Sequence, residues 1–220
     1  MKGKVLMMEH AKAKGYIPIM VEVNSLHWLI VGGGTIATRK VNTLLRQGVT
    51  HITVVAPDLS EELIEANTLG YIKYCPDKYK ISHLQGKQIV YAATDDHVLN
   101  RTICRDAKLY HLLVCNVSEQ EQGSFITPSF FQREDIIFSV SSQGKSPIVT
   151  KIIGDEWAKY VDDRFAKQLP MLERLRQDLK RDIQQPALRH QILREATPQL
   201  LYDEIKDYNV WYTALLKHNC

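Results

Sequence analysis

The chain has 220 residues, 45% hydrophobic and 24% charged, which is long enough to bury a core of its own and too apolar for a mainly disordered chain. With 28 basic and 25 acidic side chains its net charge is +3, too near balance to call for nucleic acid or a membrane surface as partner. No stretch approaches the roughly 18 apolar residues of a spanning helix, and Cys75, Cys104, Cys115 and Cys220 form no CxxC pair, so a cytoplasmic protein with reduced thiols and no metal site is expected.

Met1 to Gly15 reads as a polar leader. Ile17 to Val23 alternates apolar residues and predicts a short strand, with Asn24-Ser25 as the turn after it. The apolar run Trp28 to Val31 then feeds Gly32, Gly33 and Gly34, and apolar positions at Ile36, Ala37, Val41, Leu44 and Leu45 follow a helical period. Gly32-x-Gly34-x-x-Ala37 between a strand and a helix is the dinucleotide fingerprint. Its first glycine permits the turn, the second lets a pyrophosphate approach the backbone, and the small third residue lets helix and strand pack closely. Gly32, Gly34, Thr35 and Ile36 are therefore expected to face the pyrophosphate at the helix N-terminus.

Gly48 stops that helix, and the β-branched run His51 to Ala56, bounded by Pro57, is the second strand of a βαβ unit. Ser60, with Glu61 and Glu62 behind it, reads as the N-cap of a helix closed by Gly70. Strands are predicted over Tyr71 to Cys75, Gln88 to Ala93 and Leu112 to Asn116, with a helix over Val98 to Lys108 for which Asp95 or Asp96 is the cap. This alternation predicts a parallel sheet covered on both faces, with ligands beyond its C-terminal strand ends, where Thr94 and Asn116 stand. From Ser124 the pattern changes: Ser124 to Pro128 and Ile136 to Ser141 read as strands without a helix between them, a short antiparallel extension. Ser141 to Pro147 is a hydroxyl- and glycine-rich loop. A helical period then runs from Ile148 to Phe165, and prolines at 170, 186 and 198 divide the rest into short amphipathic helices.

Taken in order, IPIMVEV, LIVGGGTIATRK, VVAPDLS, YAATDDHVLN, CNVSEQEQGSFITPSFF and FSVSSQGKSPIVTKII resemble the precorrin-2 dehydrogenase family, which also forms the N-terminal module of siroheme synthases. The resemblance spans roughly Tyr16 to Tyr160 and weakens through the C-terminal helices. It implies NAD-dependent oxidation of precorrin-2 to sirohydrochlorin by a homodimer. The implied fold is α/β, with a Rossmann-type NAD-binding domain over 16–117, a small β/α dimerisation and substrate region over 118–150, and a C-terminal helical region over 151–220. Some members also insert ferrous iron, and the chain is too short for the methyltransferase domain of the fused enzymes. A non-catalytic NAD-sensing module is the reading from another class, since fold alone does not assign function.

An acidic ribose ligand belongs about 20 residues past the glycines; here the strand ends Val55-Ala56-Pro57-Asp58, and the resemblance brings Pro57 and Asp58 to the adenosine ribose. No basic residue for a 2′-phosphate stands nearby in the sequence, which favours NAD over NADP. Thr94 borders the nicotinamide end. The resemblance places a carboxylate in the CNV segment as the base, and the matching residue is Glu119 in place of the family's aspartate. Ser124, Ser142 and Lys145 are expected to meet carboxylates of the polyanionic substrate, and Phe125, Phe130 and Phe131 to meet its macrocycle or a dimer interface.

Overall fold

The computed structural model describes residues 15–161, 163–203 and 205–219, so most of the polar leader lies outside the described residues. The described residues form two compact units, divided between Thr127 and Pro128. The first is a five-stranded parallel sheet in the order β3-β2-β1-β4-β5, built from β1 (Trp28–Val31), β2 (Ile52–Val55), β3 (Lys73–Cys75), β4 (Ile89–Ala92) and β5 (Leu113–Asn116). Helices α1 (Thr35–Arg46), α2 (Glu61–Thr68) and α3 (His97–Leu109) connect the strands. β1 and β4 are buried along their whole length because both sheet faces are covered, which is why they read as continuous apolar runs instead of alternating ones. Ile30, Val54 and Tyr91 pack on one face with Ala37, Val41 and Leu63, whereas Leu29, Val90 and Val114 pack on the other with Ile103 and Ala107.

Two predicted strands are absent. Ile17 to Val23 runs as irregular chain, with Ile17 83% exposed. Apolar alternation cannot make a strand without a ladder partner, and Pro18 has no N–H to offer one. Ser124 to Pro128 is also irregular: the N–H groups of Ser124 and Phe125 both turn to the Val114 carbonyl. The strand lies just beyond, as β6 (Ser129–Arg133), which pairs antiparallel with β7 (Ile136–Val140) through a turn that sets Arg133 opposite Ile136.

In this second unit α4 (Pro147–Tyr160) packs on both strands of the hairpin. Ser146 caps it, its hydroxyl accepting from Val149 N–H at 3.3 Å, and the Phe138 and Trp157 rings stack 5.0 Å apart. Helices α5 (Asp163–Asp182), α6 (Pro186–Tyr202) and α7 (Tyr208–Asn219) enclose a core that includes Leu175, Leu179, Ile192 and Leu200. Pro186 opens a helix as expected, but Pro170 and Pro198 lie inside α5 and α6 instead of dividing them. An interior proline costs about 3 kcal/mol. Each fully buried leucine or isoleucine downstream returns about 1.5–3 kcal/mol, so the packed face outweighs the break. Among the described residues no helix is long and apolar enough to cross a membrane.

Candidate functional site

The glycine turn joins β1 to α1 where the strand order proceeds to β2 on one side and β4 on the other, the place at which open parallel sheets leave a crevice. Gly32 has φ +127°, and a Cβ there would overlap the Ala93 carbonyl oxygen at the exit of β4. A Cβ on Gly33 would overlap the Asp58 carbonyl oxygen at the exit of β2, while Gly33 O accepts from Ser60 N–H at 2.8 Å. Gly34 is different, because nothing lies within 4 Å of a Cβ built on it. It is the N-cap of α1 and carries no side chain to cap the helix. The N–H groups of Thr35 and Ile36, at the exposed first turn, are thus available to an anion at the positive helix end. Ala37 is fully buried, as the third fingerprint position requires.

Gly32, Gly33 and Gly34 form the floor of a cleft of ≈ 620 Å³, a size suited to a cofactor. Pro57 and Asp58 wall it from β2, Thr94, Asp95 and Asp96 from β4, and Asp77, Lys78 and Tyr79 from β3. Tyr74 on β3 holds the β2 exit, its hydroxyl lying 2.9 Å from Pro57 O and 3.2 Å from Ala56 O. Ser60 stands at the N-cap of α2 but does not cap it; its hydroxyl pairs with that of Thr38 on α1 at 2.7 Å. Tyr79 is anchored from behind by its hydroxyl on the nearly buried Asp106, and burial together with that carboxylate pushes the phenol up. Lys80 pairs with Asp77 and holds its carboxyl below the usual range.

At the β4 end, Asp96 caps α3 by accepting from Val98 N–H and Leu99 N–H at 2.8 and 3.0 Å. Thr94 is fixed by Asn100, a fully buried residue of α3. The Asn100 side-chain oxygen accepts from Thr94 N–H at 3.1 Å and Thr94 O–H at 2.8 Å, and its amide donates to Thr94 O at 2.9 Å and Ser118 Oγ at 3.3 Å. Asn116, at the end of β5, accepts from Ser118 N–H, Ser118 O–H and Glu119 N–H. One chain of polar contacts thus ties Thr94 to the segment that carries Glu119. The Glu119 carboxylate receives a two-pronged hydrogen bond from Arg101, with Nε–Oε2 and Nη2–Oε1 both 2.9 Å, and His97 Nδ1 lies 3.7 Å away.

Of the residues expected from sequence, Gly32, Gly34, Pro57, Asp58 and Thr94 line the one cleft, with Thr35 and Ile36 following Gly34 directly. Ser124 is engaged elsewhere: its hydroxyl accepts from Val114 N–H at 2.8 Å, closing the edge of β5. Ser142 and Lys145 belong to the second unit, in the loop before α4, where Ser142 Oγ accepts from Ser146 N–H at 2.8 Å and keeps its own proton to donate. Phe125 packs edge-on against Tyr91 at 5.6 Å. Sequence reasoning missed Gly33, Tyr74, Lys78, Asn100 and Arg101. Only Asn100 had a signal, as the last residue of the ATDDHVLN run, and no spacing rule assigns that position a partner.

An NAD(P)-binding family model matches residues 19–129. The chain is 37% identical over 141 residues to a siroheme synthase of Photorhabdus laumondii and 33% identical over 178 residues to one of Nitrosospira multiformis. These matches take in 64% and 79% of this chain but 30% and 38% of the relatives, so the chain spans about a third of their length. Among solved structures, SirC, a precorrin-2 dehydrogenase, superposes with a TM-score of 0.73 at 26% identity, covering 92% of this chain and 100% of SirC.

Proposed function

This chain belongs to the NAD(P)-binding family, and from that premise we propose that it oxidises precorrin-2 to sirohydrochlorin with NAD as acceptor. The likeness to SirC across 92% of the chain carries this reading. The cleft fits the cofactor: Gly34 leaves open the space a Cβ would fill, α1 has a free N-terminus, and Asp58 and Thr94 stand in the same crevice. In this reading Thr35 and Ile36 N–H groups hold the pyrophosphate, Asp58 the adenosine ribose, and Thr94 borders the nicotinamide end. When bound, NAD supplies an acceptor for the hydride that leaves the tetrapyrrole. Glu119, oriented by Arg101, takes the accompanying proton, and Ser142 and Lys145 meet substrate carboxylates. Residues 16–117 then carry the nucleotide, 118–150 the substrate and dimer contacts, and 151–220 the helical part. We place the reaction in the cytoplasm, in keeping with the unpaired thiols of Cys75, Cys104 and Cys115.

Anaerobic incubation of the protein with freshly generated precorrin-2 and NAD is expected to yield NADH and the sirohydrochlorin spectrum together. In Glu119→Ala, kcat should fall about 100-fold with little change in the KM for NAD. Dinucleotide binding without NADH formation would overturn the dehydrogenase and favour a sensor.

We further infer a homodimer formed through the second unit. Its helix α4 leaves Ile148, Val149 and Ile152 exposed at 74%, 48% and 58%, and at this spacing the three share one side of the helix, a larger apolar surface than scattered single residues make. Light scattering at micromolar concentration should give twice the chain mass, and Ile152→Glu should give the monomer. A monomeric parent protein would remove this inference.

A further inference from the structure

The sequence around Asp58 holds no cation, yet the sheet brings one to it. β2 and β3 are parallel with Val55 opposite Cys75. Asp58 and Lys78 are each the third residue past that pair, so the two chains leave adjacent strands at the same end of the sheet. Both residues line the cleft. The other charges of the cleft are accounted for. Asp77 is paired with Lys80, Asp96 caps α3, and Asp95 lies at the exit of β4, across β1 from this end. Among the described residues, neither Asp58 nor Lys78 has an ion-pair partner, and Lys78 is exposed on a wall anchored from behind by Tyr79 and Asp106.

A lone carboxylate beside the adenosine ribose would bond its 2′-hydroxyl and repel a 2′-phosphate. A cation lining the same cleft from the exit of β3 opposes that repulsion and gives the phosphate a charge-assisted donor. We propose that Lys78 is the determinant that lets the ribose end of this cleft take a 2′-phosphate, so that the chain binds NADP as well as NAD. The proposal rests on the dinucleotide reading of the cleft. It assigns the two ends of the ribose site to different strands: Asp58 to the hydroxyl of NAD and Lys78 to the phosphate of NADP.

The test is calorimetric titration of the full-length protein with NAD and NADP, with no tetrapyrrole present, comparing the parent with Lys78→Arg, Lys78→Glu and Asp58→Asn. The parent should bind NADP within about tenfold of NAD. The ratio of NADP to NAD affinity should fall at least tenfold in Lys78→Glu, persist in Lys78→Arg and rise in Asp58→Asn. Raising the salt concentration should weaken NADP more than NAD. A ratio unchanged within twofold in Lys78→Glu, with NAD still bound, overturns the role of Lys78 and leaves the dinucleotide reading standing. Binding of neither dinucleotide by the folded parent overturns both.

Discussion

Gly33→Ala is expected to remove detectable dinucleotide binding and to destabilise the fold by about 3 kcal/mol, although Gly33 is the variable position of the glycine fingerprint. The cause is space. The new Cβ would overlap the Asp58 carbonyl oxygen and stand 3.0 Å from the Ala56 Cβ, and both neighbours belong to the exit of β2. To relieve the overlap the two turns must separate, which stretches the 2.8 Å bond from Ser60 N–H to Gly33 O and displaces Asp58 from the cleft. Gly34→Ala is the informative contrast. Its Cβ meets no protein atom, so stability should fall by no more than about 1 kcal/mol, the preference of an N-cap for glycine over alanine. Dinucleotide affinity should nevertheless fall at least 100-fold, because the methyl occupies the space through which a pyrophosphate reaches the α1 N-terminus. Urea unfolding and titration with NAD separate the two effects. A Gly33→Ala protein that unfolds and binds like the parent would refute the close approach of the two turns.

Asn100→Ala is expected to cost about 3–4 kcal/mol, more than an ordinary hydrogen-bond deletion. Asn100 is fully buried and uses both ends of its amide, so alanine would open a cavity and take from the half-buried Thr94 the partners of both its N–H and its carbonyl. Asn100→Asp keeps the size and the acceptor but loses the donors to Thr94 O and Ser118 Oγ, and it introduces a buried charge facing a carbonyl. Both variants should unfold at lower urea. Because Asn100 also links the β4 exit to the segment holding Glu119, a folded fraction of either variant should show a lower kcat with the KM for NAD less affected. Parent-like urea midpoints in both would show that Thr94 is held by its backbone surroundings alone.

Much of this protein was legible in the chain itself. The five parallel strands, the helices between them and the glycine turn follow from apolar period and turn residues, and Asp96 met its expected use as the cap of α3. These features share a range: a cap, a turn or a helical face is decided by residues a few positions apart, within reach of local sterics and one or two hydrogen bonds. Tertiary structure decided what that range does not reach. Helices α5 and α6 continue through Pro170 and Pro198 because burial across the second unit outweighs a local break, and Ile17 to Val23 forms no strand because no ladder receives it. The composition of the cleft belongs to the same class. Gly33 against Asp58, Tyr74 on Pro57, Asn100 on Thr94, Arg101 on Glu119 and the entry of Lys78 into the cleft that Asp58 lines each depend on which strand exits abut and in what register. Strand order and register are set by the summed burial of the whole sheet, to which no single segment holds the key.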